Sequence, residues 1–298
     1  MPAHRVQIVE VSPRDGLQAE ERTLSTETKL ELIDRLADAG HTAIEATSFV
    51  SPDAVPQLAD ADELMTRLRR RTGVRYPVLV PNERGLDRAL AAGVDEIAVF
   101  VSASESYSRK NLRRGREEAI VTALAVIARA KARALRIRAY VSMVIADPDD
   151  GPTDPVAVAG IGTRFLEAGA DELSLADTIG TGTATQVRAL LAAQREAKVP
   201  VERIAVHFHD TYGQGLANVL TAIELGVSVV DASIGGIGGS PFAKRASGNL
   251  ATEDVVWMLD GMGIATGVDV RRLAETTNWM AQQLGRELPG RTARALLA

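Results

Sequence analysis

Residues 207–209 read His-Phe-His, in a chain with only 4 histidines. Side chains alternate along a β-strand, so residues i and i+2 share a face and both imidazoles look into one site. Two neutral imidazoles, a carboxylate and a carbonyl oxygen suit a divalent first-row metal with open positions for substrate oxygens. The alternative is a pair that merely shares a strand end. A second cluster, Arg14-Asp15, follows an apolar run. Its carboxylate can ligate a metal and its guanidinium can polarise a carbonyl or hold an enolate oxygen, unless the two form only an ion pair in a turn. Third, Ser233 to Asp254 reads SIGGIGGSPFAKRASGNLATED. Four glycines in five positions allow close backbone approach to a ligand, or a positive φ, and such a segment can serve as a lid. Taken alone, Asn249 near its end reads as a helix cap.

Charged clusters are less specific. Arg109, Lys110, Arg113, Arg114 and Arg116 follow a strand-like run and either meet ligand phosphates or form a solvated face. Arg67, Arg69, Arg70 and Arg71 fit a helix C-terminus, where the dipole favours cations. Trp257 and Trp279 read as core residues.

Four junctions recur along the chain: Ala39-Gly40 before TAIEATSF, Ala92-Gly93 before DEIAVFVS, Ala168-Gly169 before DELSLADT and Leu225-Gly226 before SVVDASIG. In each, an amphipathic pattern ends at a glycine suited to a left-handed C-cap, and a β-rich run begins about two residues on. Strands are predicted at 6–11, 42–47, 76–80, 96–101, 136–142, 172–176, 203–207 and 227–232. Helices are predicted at 27–39, 82–92, 117–134, 155–168, 185–197 and 214–225. This alternation demands a parallel sheet, and eight strands make a (β/α)8 TIM barrel, of about 250 residues in typical cases. The expectation is one α/β catalytic domain over 1–298, with the barrel over about 5–262 and a C-terminal helical extension over about 263–298, where 268–286 is helix-patterned. The competing doubly wound sheet lacks its glycine fingerprint after the first strand. In a barrel, catalytic groups sit at the C-terminal strand ends. Polar residues gather there: Asp15, Glu45, Ser48, Asn82, Ser142, Asp177, His207 and His209.

Composition removes several classes of function. With 34 Lys+Arg against 39 Asp+Glu, the net charge of -5 is unlike the basic footprint of a nucleic-acid binder. No segment reaches the roughly 20 apolar residues of a membrane span, because Arg129, Lys131 and Arg133 interrupt the most apolar stretch. The first residues, MPAHRVQIVEVSPRDG, do not read as a signal peptide. Zero cysteines exclude disulfides and thiolate chemistry. A cytoplasmic protein is expected.

Six separated motifs, in order, resemble the 3-hydroxy-3-methylglutaryl-CoA lyases, within the metal-dependent barrel group that includes isopropylmalate synthase. They are SPRDGLQ, IEATSFVSP from Ile44, YPVLVPN from Tyr76, LADTIGTGT from Leu175, VHFHDTYGQGLAN from Val206 and ASGNLATEDVVWML from Ala246. The resemblance implies that Asp15, His207, His209 and Asn249 ligate a divalent cation, Mg²⁺ or Mn²⁺. It implies Arg14 as stabiliser of a thioester enolate, Glu45 and Asp177 as groups that organise the site and move protons, and His207 and Ser240 among the catalytic residues. Arg138 and Tyr140 match family positions, and Lys110, Asn111, Ser142 and Arg138 are expected contacts of the CoA thioester. The implied reaction is a retro-Claisen-type cleavage of 3-hydroxy-3-methylglutaryl-CoA to acetoacetate and acetyl-CoA, in leucine degradation, by an enzyme that resemblance suggests is a homodimer.

The chain departs from this pattern in three places. The family's loop cysteine, in GGCPYA, is replaced by Ser240 in GGSPFA. A thiol of pKa roughly 8.5 exchanges a proton near neutrality, whereas a serine hydroxyl is a far weaker acid. Arg245 stands where a small residue is usual, and 147–150 replace a CPYEG-like turn. Two other readings therefore stay open: a lyase for another branched 3-hydroxyacyl-CoA, such as citramalyl-CoA, or a CoA-free aldolase; and a weakly catalytic paralogue that binds metal and acyl-CoA.

Overall fold

Eight strands run parallel in one sheet of a computed structural model that describes residues 5–239 and 248–298. They are β1 (Gln7–Glu10), β2 (Thr47–Ser48), β3 (Val78–Leu79), β4 (Glu96–Ser102), β5 (Arg136–Ser142), β6 (Glu172–Asp177), β7 (Ile204–Phe208) and β8 (Val229–Ala232). β1 lies beside β8, and the sheet continues in descending order to β2. The ends meet at the Glu10–Ile44 bridge, where Glu10 N donates to Ala43 O at 3.0 Å and Glu45 N to Glu10 O at 2.9 Å. The sheet closes on itself, giving the expected TIM barrel.

β2 and β3 are shorter than predicted. Pro77 and Pro81 flank β3 and have no N–H for a ladder, so regular pairing there is confined to Thr47–Val78 and Ser48–Leu79. The outer layer comprises α1 (Thr26–Asp38), α2 (Ala61–Arg67), α3 (Glu83–Ala91), α4 (Glu105–Leu112), α5 (Arg116–Lys131), α6 (Pro155–Glu167), α7 (Ala184–Glu196) and α8 (Gly215–Glu224). The four junction glycines adopt positive φ: +104° at Gly40, +67° at Gly93, +108° at Gly169 and +100° at Gly226. Asn82 caps α3, its side chain accepting from Gly85 N, and so serves the helix. The cations near α2 are held by acids and carbonyls, with Arg71 on Asp34 and Asp38 and Arg70 on the Ala92 and Gly93 carbonyls.

The C-terminal helices are α9 (Thr252–Gly261), α10 (Val270–Leu284) and α11 (Arg291–Leu296). Trp257 corrects an expectation. It is 57% exposed, because α9 buries Val255, Val256 and Leu259 on the opposite side. Trp279 is partly buried on the core, under the Arg35 guanidinium at 4.6 Å. Among the described residues, no helix is long and apolar enough to cross a membrane.

Side-chain parity divides the core. On β5, Ile137, Ala139 and Val141 join the large apolar layer under the helices, while Tyr140 packs with Leu79 and Ala98. Val9, Ala43, Ala205 and Val229 form another small cluster. Arg138 shares the parity of Tyr140 on β5, and charged groups collect around it.

Candidate metal centre

β7 delivers His207, and the chain continues to His209, which bridges Asn249. Phe208 between them is buried in the layer under the helices, and the two imidazole centroids lie 5.4 Å apart. Asp15 comes from the turn after β1, two strands along the sheet from β7. After β1 the segment Ser12–Gly16 makes one π-turn, and the N–H groups of Arg14, Asp15 and Gly16 all return to Val11 O at 3.2, 2.8 and 3.1 Å. One ligand atom each from Asp15, His207 and His209 lies within 4.8 Å of the others, and all three residues are buried.

Asn249 completes the group. It is no helix cap: α9 starts at Thr252, with Ala251 in the cap position. Its Nδ2 instead donates to Asp15 Oδ2 at 2.8 Å and to Ile237 O at 3.1 Å, and its side chain also bonds His209. Gly238 makes room for this amide. With φ +120°, a Cβ there would run into Asn249 Nδ2, so a side chain would displace Asn249.

The electrostatics suit a dication. Burial alone would raise the Asp15 carboxyl, but Arg14 and the two imidazoles outweigh it and hold the pKa at about 2. Burial and then the charge of His207 lower His209 to about 4, leaving a neutral ring. Its Nδ1 is buried without a partner. Burial opposes a charge on His207 too, yet its hydrogen bond to Asp231 and the charge of Asp15 raise its pKa. Together these residues offer an anionic oxygen, two ring nitrogens and an amide, a donor set that fits Mg²⁺, Mn²⁺ or another first-row dication.

Behind the two histidines lies a layer of polar residues that local sequence patterns do not reveal. His207 Nδ1 lies 3.2 Å from Asp231 Oδ2, an arrangement that orients metal-ligating imidazoles. Asp231 accepts from Arg138 Nη2 at 2.5 Å and from Ser174 Oγ at 3.1 Å. Arg138 also donates to Glu172 at 2.5 Å and to the Tyr140 hydroxyl at 2.8 Å. Asp231 pairs in register with His207 across β8 and β7. Its signal in the sequence is a single acid within the apolar strand VVDA.

Arg14 is buried and paired with Asp15 and, at 2.9 Å, with Glu45 Oε2. Tyr140 donates to the same Glu45 oxygen at 3.0 Å. Asp177 Oδ2 accepts from Gly182 N at 2.7 Å, and burial, only partly offset by such bonds, raises its pKa. Arg14 Nε, Glu45 Oε1, Asp177 Oδ1 and His209 Nδ1 are all buried without a hydrogen-bond partner. An unmade hydrogen bond at a buried polar atom costs about 1–3 kcal/mol, so four such atoms on the expected site residues mark a place shaped for a polar guest.

The expected CoA contacts are placed differently. Arg138 is 2% exposed and donates to Glu172, Tyr140 and Asp231. Ser142 Oγ donates to Val101 O. Lys110 is exposed at the rim and paired with Asp149, and Asn111 is half-buried near the end of α4. A short hairpin, Ala146–Asp147 with Gly151–Pro152, brings Asp150 over α4, where it accepts from Ser104 Oγ and Ser106 N, each at 2.9 Å. Ser240 and Arg245 lie outside the described residues.

A family model described as HMGL-like matches residues 5–280. The mitochondrial hydroxymethylglutaryl-CoA lyase of Macaca fascicularis is 47% identical over 291 residues, covering 98% of this chain and 89% of that protein. The structure of hydroxymethylglutaryl-CoA lyase from Pseudomonas aeruginosa superposes with a TM-score of 0.96 at 43% identity, over 99% of this chain and 98% of that one. The HMG-CoA lyase of Acinetobacter baumannii in complex with coenzyme A and 3-methylmalate gives a TM-score of 0.94 at 34% identity, over 98% and 95% of the two chains.

Proposed function

The chain belongs to the HMGL-like family, and from that premise we propose that it is a divalent-metal-dependent carbon–carbon lyase cleaving 3-hydroxy-3-methylglutaryl-CoA to acetoacetate and acetyl-CoA. The observation that carries this reading is the buried Asp15, His207 and His209 cluster at the barrel mouth, in a chain so similar to named lyases over nearly its full length. Asp15, His207, His209 and the amide of Asn249 would hold Mg²⁺ or Mn²⁺, which when bound supplies Lewis acidity toward the substrate's chelating oxygens.

The chain's own groups account for the rest of the chemistry. Asp177, with a raised pKa and an unpartnered Oδ1, takes the proton of the tertiary hydroxyl. As the C2–C3 bond breaks, the hydroxyl carbon becomes the ketone of acetoacetate and its bonding electrons pass to the thioester as an enolate. Arg14, held by Asp15 and Glu45, places its guanidinium where negative charge develops on the enolate oxygen. A proton returned to the enolate carbon yields acetyl-CoA. Ser240 stands where the family resemblance puts a cysteine, and we assign its hydroxyl to relay this proton from Asp177, so that the carboxylate and the hydroxyl are both restored. The rim residues Lys110 and Asn111 are the side chains we assign to the CoA moiety.

Acetyl-CoA release from a panel of 3-hydroxyacyl thioesters with Mg²⁺ or Mn²⁺ tests the reading. Fastest cleavage of 3-hydroxy-3-methylglutaryl-CoA supports it; preference for citramalyl-CoA, or turnover only of a CoA-free hydroxy acid, overturns it. Ser240 is the observation favouring a weak paralogue, which would bind metal and acyl-CoA by calorimetry without releasing product. The cysteine-free composition favours a cytoplasmic location, although the curated relatives include mitochondrial proteins; cell fractionation checks it. The assembly we assign is a homodimer, checked by light scattering.

A further inference from the structure

The glycine segment leaves β8 through Ile234 and Gly235, and each of their backbone N–H groups ends on a buried carboxylate. Ile234 N donates to Glu10 Oε1 at 3.1 Å, and Gly235 N donates to both oxygens of Glu253, at 3.1 and 2.9 Å. Both glutamates are 0% exposed. These are buried hydrogen bonds, costly to leave unmade, and two in succession fix the direction in which the chain departs from the barrel.

Each carboxylate has further partners. Glu10 accepts from Ser12 N at 3.0 Å, at the start of the π-turn that carries Arg14 and Asp15, and from Thr252 Oγ1 at 2.7 Å, three residues beyond Asn249. It therefore ties together three stretches that each bear a site residue or lead toward one. Glu253 is backed from outside the barrel by Thr277 of α10, whose hydroxyl donates to it. The same helical extension closes on Gly235 itself. Gly290 N donates to Gly235 O at 2.9 Å. With φ +58°, a Cβ at Gly235 would meet Leu288 Cδ1 at 2.7 Å and Thr277 Cγ2 at 2.9 Å, so backbone and extension are in direct contact.

We propose that Glu10 and Glu253 are positioning residues for the lyase reaction, clamping Ile234–Gly235, and that the C-terminal extension supports catalysis through Thr277 and Glu253. Neither carboxylate touches a metal ligand. Their effect passes through the segment that runs from Gly235 past Gly238, which makes room for Asn249, toward Ser240. Glutamine at 253 keeps an acceptor oxygen for Gly235 N and the Thr277 hydroxyl, whereas alanine removes it.

The test compares Glu253→Ala, Glu253→Gln and Thr277→Val in the full chain, by amide hydrogen exchange over Ile234–Gly239, by Mn²⁺ titration calorimetry and by steady-state kinetics. In Glu253→Ala the exchange of these amides rises about 10-fold, as expected for lost buried hydrogen bonds. Its kcat falls with little change in KM or Mn²⁺ affinity, and Glu253→Gln restores both exchange and kcat. Thr277→Val shows the same pattern more weakly, and stands in if the alanine variant fails to fold. Unchanged exchange in the folded variants, or a glutamine variant as impaired as alanine, overturns the proposal. The kinetic readout rests on the lyase reading; the exchange readout does not, so failure of one is distinguishable from failure of the other.

Discussion

Replacing Asp231 by asparagine removes the charge behind His207 while keeping its size. The buried carboxylate has three partners: His207 Nδ1 at 3.2 Å, Arg138 Nη2 at 2.5 Å and Ser174 Oγ at 3.1 Å. An asparagine keeps its oxygen on Arg138, but its amide N–H then takes the Oδ2 position shared by Ser174 Oγ and His207 Nδ1 and favours the tautomer with the proton on Nε2, the nitrogen that faces Asp15 at 3.8 Å. Loss of such a carboxylate behind a ligating histidine costs about 10- to 100-fold in metal affinity, or about 1.4–2.7 kcal/mol. Arg138 keeps Glu172, so the loss of fold stability stays below the 3–5 kcal/mol of a broken buried ion pair. Mn²⁺ titration calorimetry on wild type, Asp231→Asn and Ser174→Ala reads this out, with affinity expected to fall 10- to 100-fold in the first variant and no more than a few-fold in the second. A folded Asp231→Asn protein that binds Mn²⁺ as tightly as wild type would refute the reasoning, because the metal would not then be held through His207.

His207→Ala is expected to lose Mn²⁺ binding and lyase turnover together, by calorimetry and acetoacetate release; an active variant that binds no metal contradicts the site. Ser240→Cys is expected to raise kcat by up to the 10²- to 10⁴-fold typical of acid–base groups if protonation of the enolate limits turnover, and an unchanged kcat places the proton route elsewhere. The Glu10 pKa is raised by burial from 4.5 to about 7. Below pH 4.5 the group is neutral folded and unfolded; between 4.5 and 7 only the unfolded chain releases the proton, so folding stability falls as pH rises and the deficit is complete above 7. Glu10→Gln abolishes this, and urea denaturation at pH 5 and pH 8 is expected to show the variant gaining up to about 3 kcal/mol on wild type at the higher pH; a pH-independent difference counts against a buried, proton-binding Glu10.

The barrel was legible because helix ends and strand starts are local. Gly40, Gly93, Gly169 and Gly226 mark positions where the chain must turn left-handed, and all four do. His207 and His209 were legible for a similar reason, since a period of two converts spacing into a shared face. What depends on distant segments was not legible. Asp231 matters because β8 lies beside β7, and Arg138 joins it because β5 presents the same parity; a sequence shows a charged residue in an apolar run but not its partner. Trp257 misled because aromatic character says nothing of which side of α9 meets the barrel. Local pattern makes Asn249 a cap and only the family resemblance makes it a ligand, because its amide reaches back across 234 residues to Asp15. The hairpin at 146–152 consists of two-residue strands, too short to leave a periodic pattern.

The most direct test is the anomalous diffraction signal of Mn²⁺ in crystals of the protein grown with the metal and a CoA thioester. One peak within coordination distance of Asp15, His207, His209 and Asn249, with substrate oxygens filling the remaining positions, is the expected result. A peak elsewhere, or a thioester bound with no metal between those four side chains, contradicts the account.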